Sequence, residues 1–322
     1  MAYSKEVVRL AQQRLAQMKA DRESENLQHL MEAYAKVPRI REIDALLRRS
    51  MVLAAQAAFA NGTAIEKVRD ENLALQKERY ALAEENFAPG YLDEAPICRH
   101  CGGSGYIGSQ MCSCLQELCR QEQVKRLALL ADPNARCENF RLDYYAEAPD
   151  AKLGASPRKL MERTLAACRK YAAEFDLSSG NLLFSGNTGL GKTFLSACIA
   201  REVAAKGFSV CYESAQHLFS KLERNRFEPS QETRQQVAQI VDCDLLIVDD
   251  LGTELPGNFV TAALYNLVND RILAGKPMIV STNLNAQELA LRYSPQIASR
   301  LQGNFQQKIF LGQDIRVMLN RG

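Results

Sequence analysis

Charge of one sign, a long apolar run and an export signal are all missing from these 322 residues. Forty Lys and Arg stand against 38 Asp and Glu, so bulk charge attracts no polyanion and any nucleic-acid contact has to come from a local basic patch. The opening stretch MAYSKEVVRLAQQ has neither the apolar core nor the small-residue cleavage site of a signal peptide. The longest apolar stretch, Met51 to Ala60, is broken by Gln56 and is too short to span a bilayer. These absences predict a cytoplasmic protein with no membrane partner. Ten cysteines are present, and Cys168, Cys198, Cys211 and Cys243 lie inside apolar segments, which suits buried thiols in a reducing compartment better than a disulfide framework. The length suits about two domains, and the 47% hydrophobic content supplies a sizeable core.

Residues 1–87 read as helix throughout, rich in Ala, Leu, Glu, Lys, Arg and Gln, with breaks at Pro38 and at Asn61-Gly62 that divide them into three helices. In the third, Ile65, Val68, Leu75 and Leu82 recur at three- and seven-residue steps and form one apolar stripe. Either this region is a small bundle or it contains a helix pair that grips another protein, since three helices alone make a thin core.

After Pro89-Gly90 comes a cysteine cluster: Cys98-Arg99-His100-Cys101-Gly102-Gly103-Ser104-Gly105-Tyr106, then Cys112-Ser113-Cys114. A Cys-x-x-Cys turn lets two thiolates converge on one ion, and the second pair completes a tetrahedral four-sulfur shell for zinc from Cys98, Cys101, Cys112 and Cys114. The competing reading is a redox pair, which belongs at a helix start in a βαβ setting. Because the second pair is Cys-x-Cys, His100 or Cys119 stands as an alternative ligand. A closed four-ligand site leaves no position open for chemistry, so a module over residues 91–125 reads as scaffold.

A turn at Asp132-Pro133-Asn134 and a helix from Pro157 to Phe175 lead to a change of character at Asn181. From there short apolar strands (Leu182 to Phe184, Ser209 to Tyr212, Asp244 to Val248, Met278 to Ser281, Gln307 to Phe310) alternate with helices, which argues for an α/β fold with a parallel sheet flanked by helices. The first strand runs into Gly186-Asn187-Thr188-Gly189-Leu190-Gly191-Lys192-Thr193, matching G-x-x-x-x-G-K-[ST] at every fixed position. Such a loop turns backbone N–H groups toward the β-phosphate of ATP, with Lys192 reaching the β- and γ-phosphates and the Thr193 hydroxyl on Mg²⁺. Farther on, Leu245-Leu246-Ile247-Val248 ends in Asp249 and Asp250. Asp249 is expected in the magnesium shell, and Asp250 beside the attacking water.

Leu251-Gly252-Thr253-Glu254 after the acids, Ser281-Thr282-Asn283 after the next strand and Ala298-Ser299-Arg300-Leu301 resemble the helicase loaders of the DnaC/DnaI type, across residues 138–316. The lead-in Cys137-Glu138-Asn139-Phe140-Arg141-Leu142 is similar as well, and the cysteine module is what zinc-bearing members show. The resemblance implies an AAA+ P-loop core over residues 137–322, preceded by a helical region (1–90) and a small zinc-binding module. It also implies Asn283 or Thr282 as sensor 1, Arg300 as an arginine finger donated to a neighbouring subunit, and Arg316 as sensor 2. Cationic compensation of a γ-phosphate supports the arginine roles independently. Two departures are Asp250 in place of Glu, which bears on hydrolysis rate, and the Cys-x-Cys pair. Six residues follow Arg316, so neither a helical lid nor a DNA-reading domain is expected.

The implied function is an ATPase that loads the replicative DNA helicase: the N-terminal helices and zinc module bind the helicase, while ATP-bound cores self-associate and engage single-stranded DNA. The stretch Lys221 to Phe227 offers cations around an aromatic for that strand, although alone it also reads as a charged helix end. Two alternatives are a transposase-helper ATPase that selects target DNA, similar over the same core, and a non-hydrolysing adaptor, against which Lys192, Asp249 and Arg300 weigh.

Overall fold

The computed structural model describes residues 3–57, 63–130, 134–149 and 155–319. The expected breaks at Asn61-Gly62 and Asp132-Pro133 lie outside the described residues. The chain divides into two compact units, one of Gln12–Leu115 and the other of Met1–Ala11 with Gln116–Gly322.

The first unit holds α1 (Lys5–Lys36) from Gln12 onward, α2 (Pro38–Ala57) and α3 (Thr63–Asn86); α2 packs on α3, Ala33, Ile40 and Ile43 are buried, and Leu15 of α1 stands against Gly105. Pro38 sits at the first helical position of α2, where a missing N–H costs nothing. Asp44 on α2 receives Arg79 of α3 at 2.7 Å and the Tyr34 hydroxyl of α1 at 2.9 Å, tying the three helices together. Val68, Leu75 and Leu82 of the expected stripe are half-buried, while Leu73 and Tyr80 are exposed; the side chain of Ile65 lies outside the described residues. A two-strand hairpin, β1 (Tyr106–Ile107) with β2 (Gln110–Met111), lies between the two cysteine pairs.

The second unit begins its own elements with α4 (Ser113–Leu130) and, after 3₁₀ turns at Cys137–Asn139 and Leu142–Tyr144, α5 (Pro157–Glu174). Ser156 caps α5, its hydroxyl accepting Lys159 N–H at 3.2 Å. Strands then alternate with helices: β3 (Asn181–Ser185), α6 (Lys192–Ala205), β4 (Val210–Ser214), α7 (Ala215–Phe227), α8 (Gln231–Asp242), β5 (Leu245–Leu251), α9 (Asn258–Leu273), β6 (Met278–Thr282), α10 (Ala286–Arg292), α11 (Pro295–Asn304), β7 (Phe305–Ile309) and α12 (Ile315–Leu319). The five strands are all parallel in the order β4-β5-β6-β3-β7. Central β3, β5 and β6 are buried on both faces, which is why they read as continuous apolar runs, whereas the edge strands β4 and β7 are mixed. A parallel sheet flanked by helices, after a helical region and a cysteine module, is the AAA+ P-loop arrangement implied by the sequence. Its carboxyl strand ends open into one cleft.

Candidate functional site

The loop from Gly186 to Gly191 joins β3 to α6 and is shaped by backbone that L-residues resist. Gly186 has φ +146°, and a Cβ there would collide with the Phe310 carbonyl, while Gly191 caps α6 at φ +84°. Tyr145, buried, donates its hydroxyl to the Leu190 carbonyl at 2.9 Å and fixes the loop from beneath. Leu190 itself turns its side chain into the core, so its contribution to the loop is backbone. Lys192 is buried, and its ammonium donates to the carbonyls of Gly186 and Asn187 at 2.7 Å each. Burial pulls its pKa below the usual lysine value, and the charges of Asp250 and Asp249 partly offset this.

Asp249 is buried on β5, with Oδ2 accepting the Tyr212 hydroxyl at 2.8 Å and Oδ1 accepting the Ser281 hydroxyl. Neighbouring parallel strands supply both donors, so the carboxylate is aimed by β4 and β6 at once. Burial, then the Asp249 carboxylate, push the Tyr212 phenol well above its ordinary range, keeping it a donor. Asp250 lies within a break in the β5–β6 register, between Val248 and Leu251, and has φ +54°; its N–H donates to Ser281 Oγ at 2.9 Å. Its side chain is solvent-accessible within the cleft. Partial burial and the neighbouring Asp249 raise its pKa above the ordinary aspartate value, against the opposing pull of Lys192 and Arg316.

Thr188 to Thr193, Asp250, Asn283 and Arg316 line one cleft of about 790 Å³, together with Thr253 and an aromatic wall from Phe140, Tyr144 and Tyr145. A volume of that size suits a nucleotide, and the glycine loop at the start of α6 suits its phosphates. The two sensor 1 candidates part company: Thr282 is buried and donates to the Leu251 carbonyl at 2.7 Å, whereas Asn283 faces the cleft. Arg300 does not face it. Its guanidinium lies over the Tyr265 ring at 4.5 Å and donates to the Tyr265 hydroxyl at 2.9 Å and to Asn269 Oδ1 at 2.8 Å. The sequence alone gives no site role to Tyr212 or Tyr145, and it carries Ser281 and Thr253 only inside the loader-like motifs. Their local signal is weak, because each acts through a strand neighbour or a turn that only the fold brings close.

At the tip of α7, Phe227 is exposed, with the Arg226 guanidinium 5.6 Å from its ring and 5.5 Å from that of Phe259. Lys221, by contrast, is paired with Glu213.

In the other unit the sulfurs of Cys98, Cys101, Cys112 and Cys114 lie within 4.8 Å of one another. Two of the separations are 3.7 Å (Cys98–Cys112) and 3.4 Å (Cys101–Cys114). A tetrahedral ion with Zn–S bonds of ~2.3 Å sets its sulfurs ~3.8 Å apart, so the donor set fits zinc. His100 and Cys119 are not in this cluster. Among the described residues no helix is long and apolar enough to cross a membrane.

A family model described as IstB-like ATP binding protein matches residues 115–294. The replicative helicase loader DnaC of Escherichia coli strain K12 is 26% identical over 156 residues, which are 48% of this chain and 60% of that protein. The chain thus spans about 60% of the length of that curated relative. Among solved structures, the crystal structure of the DnaC helicase loader is similar with a TM-score of 0.45 and 19% identity over 54% of this chain and 98% of that one. AMPPCP-bound DnaA from Aquifex aeolicus is similar with a TM-score of 0.45 and 22% identity over 59% of this chain and 54% of that one.

Proposed function

Because the chain belongs to the family of IstB-like ATP binding proteins, we propose that it is a cytoplasmic, ATP-dependent loader that delivers the replicative DNA helicase onto single-stranded DNA. The observation that carries this reading is the assembly of Lys192, Asp250, Asn283 and Arg316 on one cleft while Arg300 is held outside it on α11. A site that lacks its finger within one chain is suited to completion by a neighbour, and that makes assembly of the cores depend on ATP. The sequence relationship to a replicative helicase loader supports the cargo.

In this reading the amides of residues 186–193 and the Lys192 ammonium hold the phosphates, and the Thr193 hydroxyl and Asp249 hold magnesium. Magnesium, when bound, neutralises charge on the β- and γ-phosphates. Asp249 is pre-aimed by Tyr212 and Ser281, and Asp250 orients the attacking water. Asn283 and Arg316 contact the γ-phosphate end, and Arg300 serves the adjoining subunit. Hydrolysis is slow and DNA-stimulated, because Asp250 is one methylene shorter than Glu. Cys98, Cys101, Cys112 and Cys114 hold a structural zinc over residues 91–125, and with the helices of residues 1–90 they form the helicase-binding part, while residues 137–322 form the ATPase core. The Arg226–Phe227 tip of α7 stacks and neutralises the DNA strand.

A second reading, a transposase-helper ATPase that selects target DNA, is supported by the family match itself. Affinity capture with the full chain, using the purified replicative helicase of the source organism, separates the two. Stable capture supports the loader, and failure to capture it with or without ATP counts for the helper.

A further inference from the structure

Beyond Asp250 the chain turns through Leu251, Gly252, Thr253 and Glu254, and Glu254 is a carboxylate only 4% exposed that does not line the cleft. Its Oε2 accepts Gly252 N–H at 2.9 Å and its Oε1 accepts the Tyr293 hydroxyl. Arg292 Nε stands 3.5 Å from the same Oε1, and Arg292 Nη2 donates to the Glu254 backbone carbonyl. Burying a carboxylate costs free energy even when it is paired, and an apolar residue would fill the space without that cost. The cost is offset where the charge holds backbone in a shape it would not otherwise keep. That shape is visible at the other end of the turn: Asp250 is left-handed at φ +54°, and its carbonyl accepts Thr253 Oγ1 at 2.8 Å and Thr253 N–H at 3.2 Å. Asp250 and Thr253 both line the nucleotide cleft.

The partners of Glu254 belong to a different element. Arg292 closes α10, Tyr293 caps it, and Ser294 caps α11, which carries Arg300. Hydrogen bonds therefore join the turn that faces the nucleotide to the end of α10, and Ser294, next in the chain after Tyr293, starts α11 with its finger.

We infer that Glu254 is a positioning residue: it holds the Asp250–Thr253 turn in shape and joins that turn, through Tyr293 and Arg292, to α10–α11. Nucleotide occupancy of the cleft that the turn lines and the presentation of Arg300 then change together. The link to Arg300 rests on the cleft being the ATP site, whereas the hold on Gly252 does not.

Residue-resolved hydrogen exchange on the full chain tests both parts, using Glu254→Gln, which keeps size, and Tyr293→Phe, which keeps the ring. Without nucleotide, Glu254→Gln is expected to speed exchange at the Gly252 amide by about tenfold relative to wild type. Unchanged exchange there overturns the positioning role. With Mg²⁺ and a non-hydrolysable ATP analogue, wild type is expected to slow exchange in residues 186–193, 250–254 and 295–304. Both variants are expected to keep the first response, with affinity for fluorescent ADP within about twofold of wild type, and to lose the last. A last response that is absent in wild type, or that persists in both variants, overturns the link. Absence of any response over residues 186–193 in wild type instead sinks the nucleotide reading, and the Gly252 arm still decides the role of Glu254. If Glu254→Gln does not fold, Tyr293→Phe carries both arms, with acceleration at Gly252 expected from the loosened carboxylate.

Discussion

At position 250 backbone and side chain make opposing demands. A φ of +54° favours Asp or Asn among non-glycine residues, because a short polar side chain tolerates the left-handed region. This gives a physical reason for Asp where related ATPases carry Glu. Asp250→Glu is expected to lower stability by about 1 kcal/mol while raising hydrolysis through its longer reach, as read from a chemical denaturation curve and a turnover assay. The raised pKa of Asp250 sets a pH-dependent prediction. A carboxyl whose folded-state pKa exceeds its unfolded value penalises the fold once ionised, and the penalty fades as pH falls through the folded pKa. Asp250→Asn should therefore melt above wild type at neutral pH, with the gap closing below the ordinary carboxylate range, while losing hydrolysis. Equal melting at every pH would show that the carboxylate is not under this burden.

Among the elements, the sheet was legible because parallel strands buried on both faces read as apolar runs, and the phosphate loop because its glycines and lysine are fixed by one chemistry. Less legible was what strand adjacency does. Nothing local marks Tyr212 and Ser281 as partners of Asp249, since β4 and β6 meet β5 only through long crossovers. The choice between Thr282 and Asn283 likewise needed the fold, which spends the threonine hydroxyl on the Leu251 carbonyl. β7 forms at Phe305–Ile309 rather than from Gln307, because the Phe305 side chain buries at the strand start. The cysteine pairs were visible from spacing, and their sulfurs converge to distances suited to one ion. Metal analysis of freshly prepared, reduced protein should find close to one zinc per chain. Cys101→Ser is expected to lose the metal and helicase binding while nucleotide affinity stays within about twofold of wild type, since the cluster and the cleft lie in different units. Loss of nucleotide binding in the same variant would contradict separable roles.

For the whole molecule, the separation of Arg300 from the chain's own cleft is the feature with the largest consequence. Arg300→Ala is expected to bind ATP as wild type does and to hydrolyse it at least about 100-fold more slowly. Mixing it with Lys192→Ala should restore part of the activity, because some neighbouring pairs then hold one intact loop and one intact finger; no recovery despite demonstrated co-assembly would place the finger's role elsewhere. The central claim is that ATP drives this chain to deliver a helicase. Its most direct test incubates the full chain, the replicative helicase of the source organism and circular single-stranded DNA with ATP or ADP, and measures helicase co-migrating with the circles. About tenfold more helicase is expected on DNA with ATP than with ADP, and no gain with Lys192→Ala. Helicase recovery that is the same in ATP, in ADP and without this protein would contradict it.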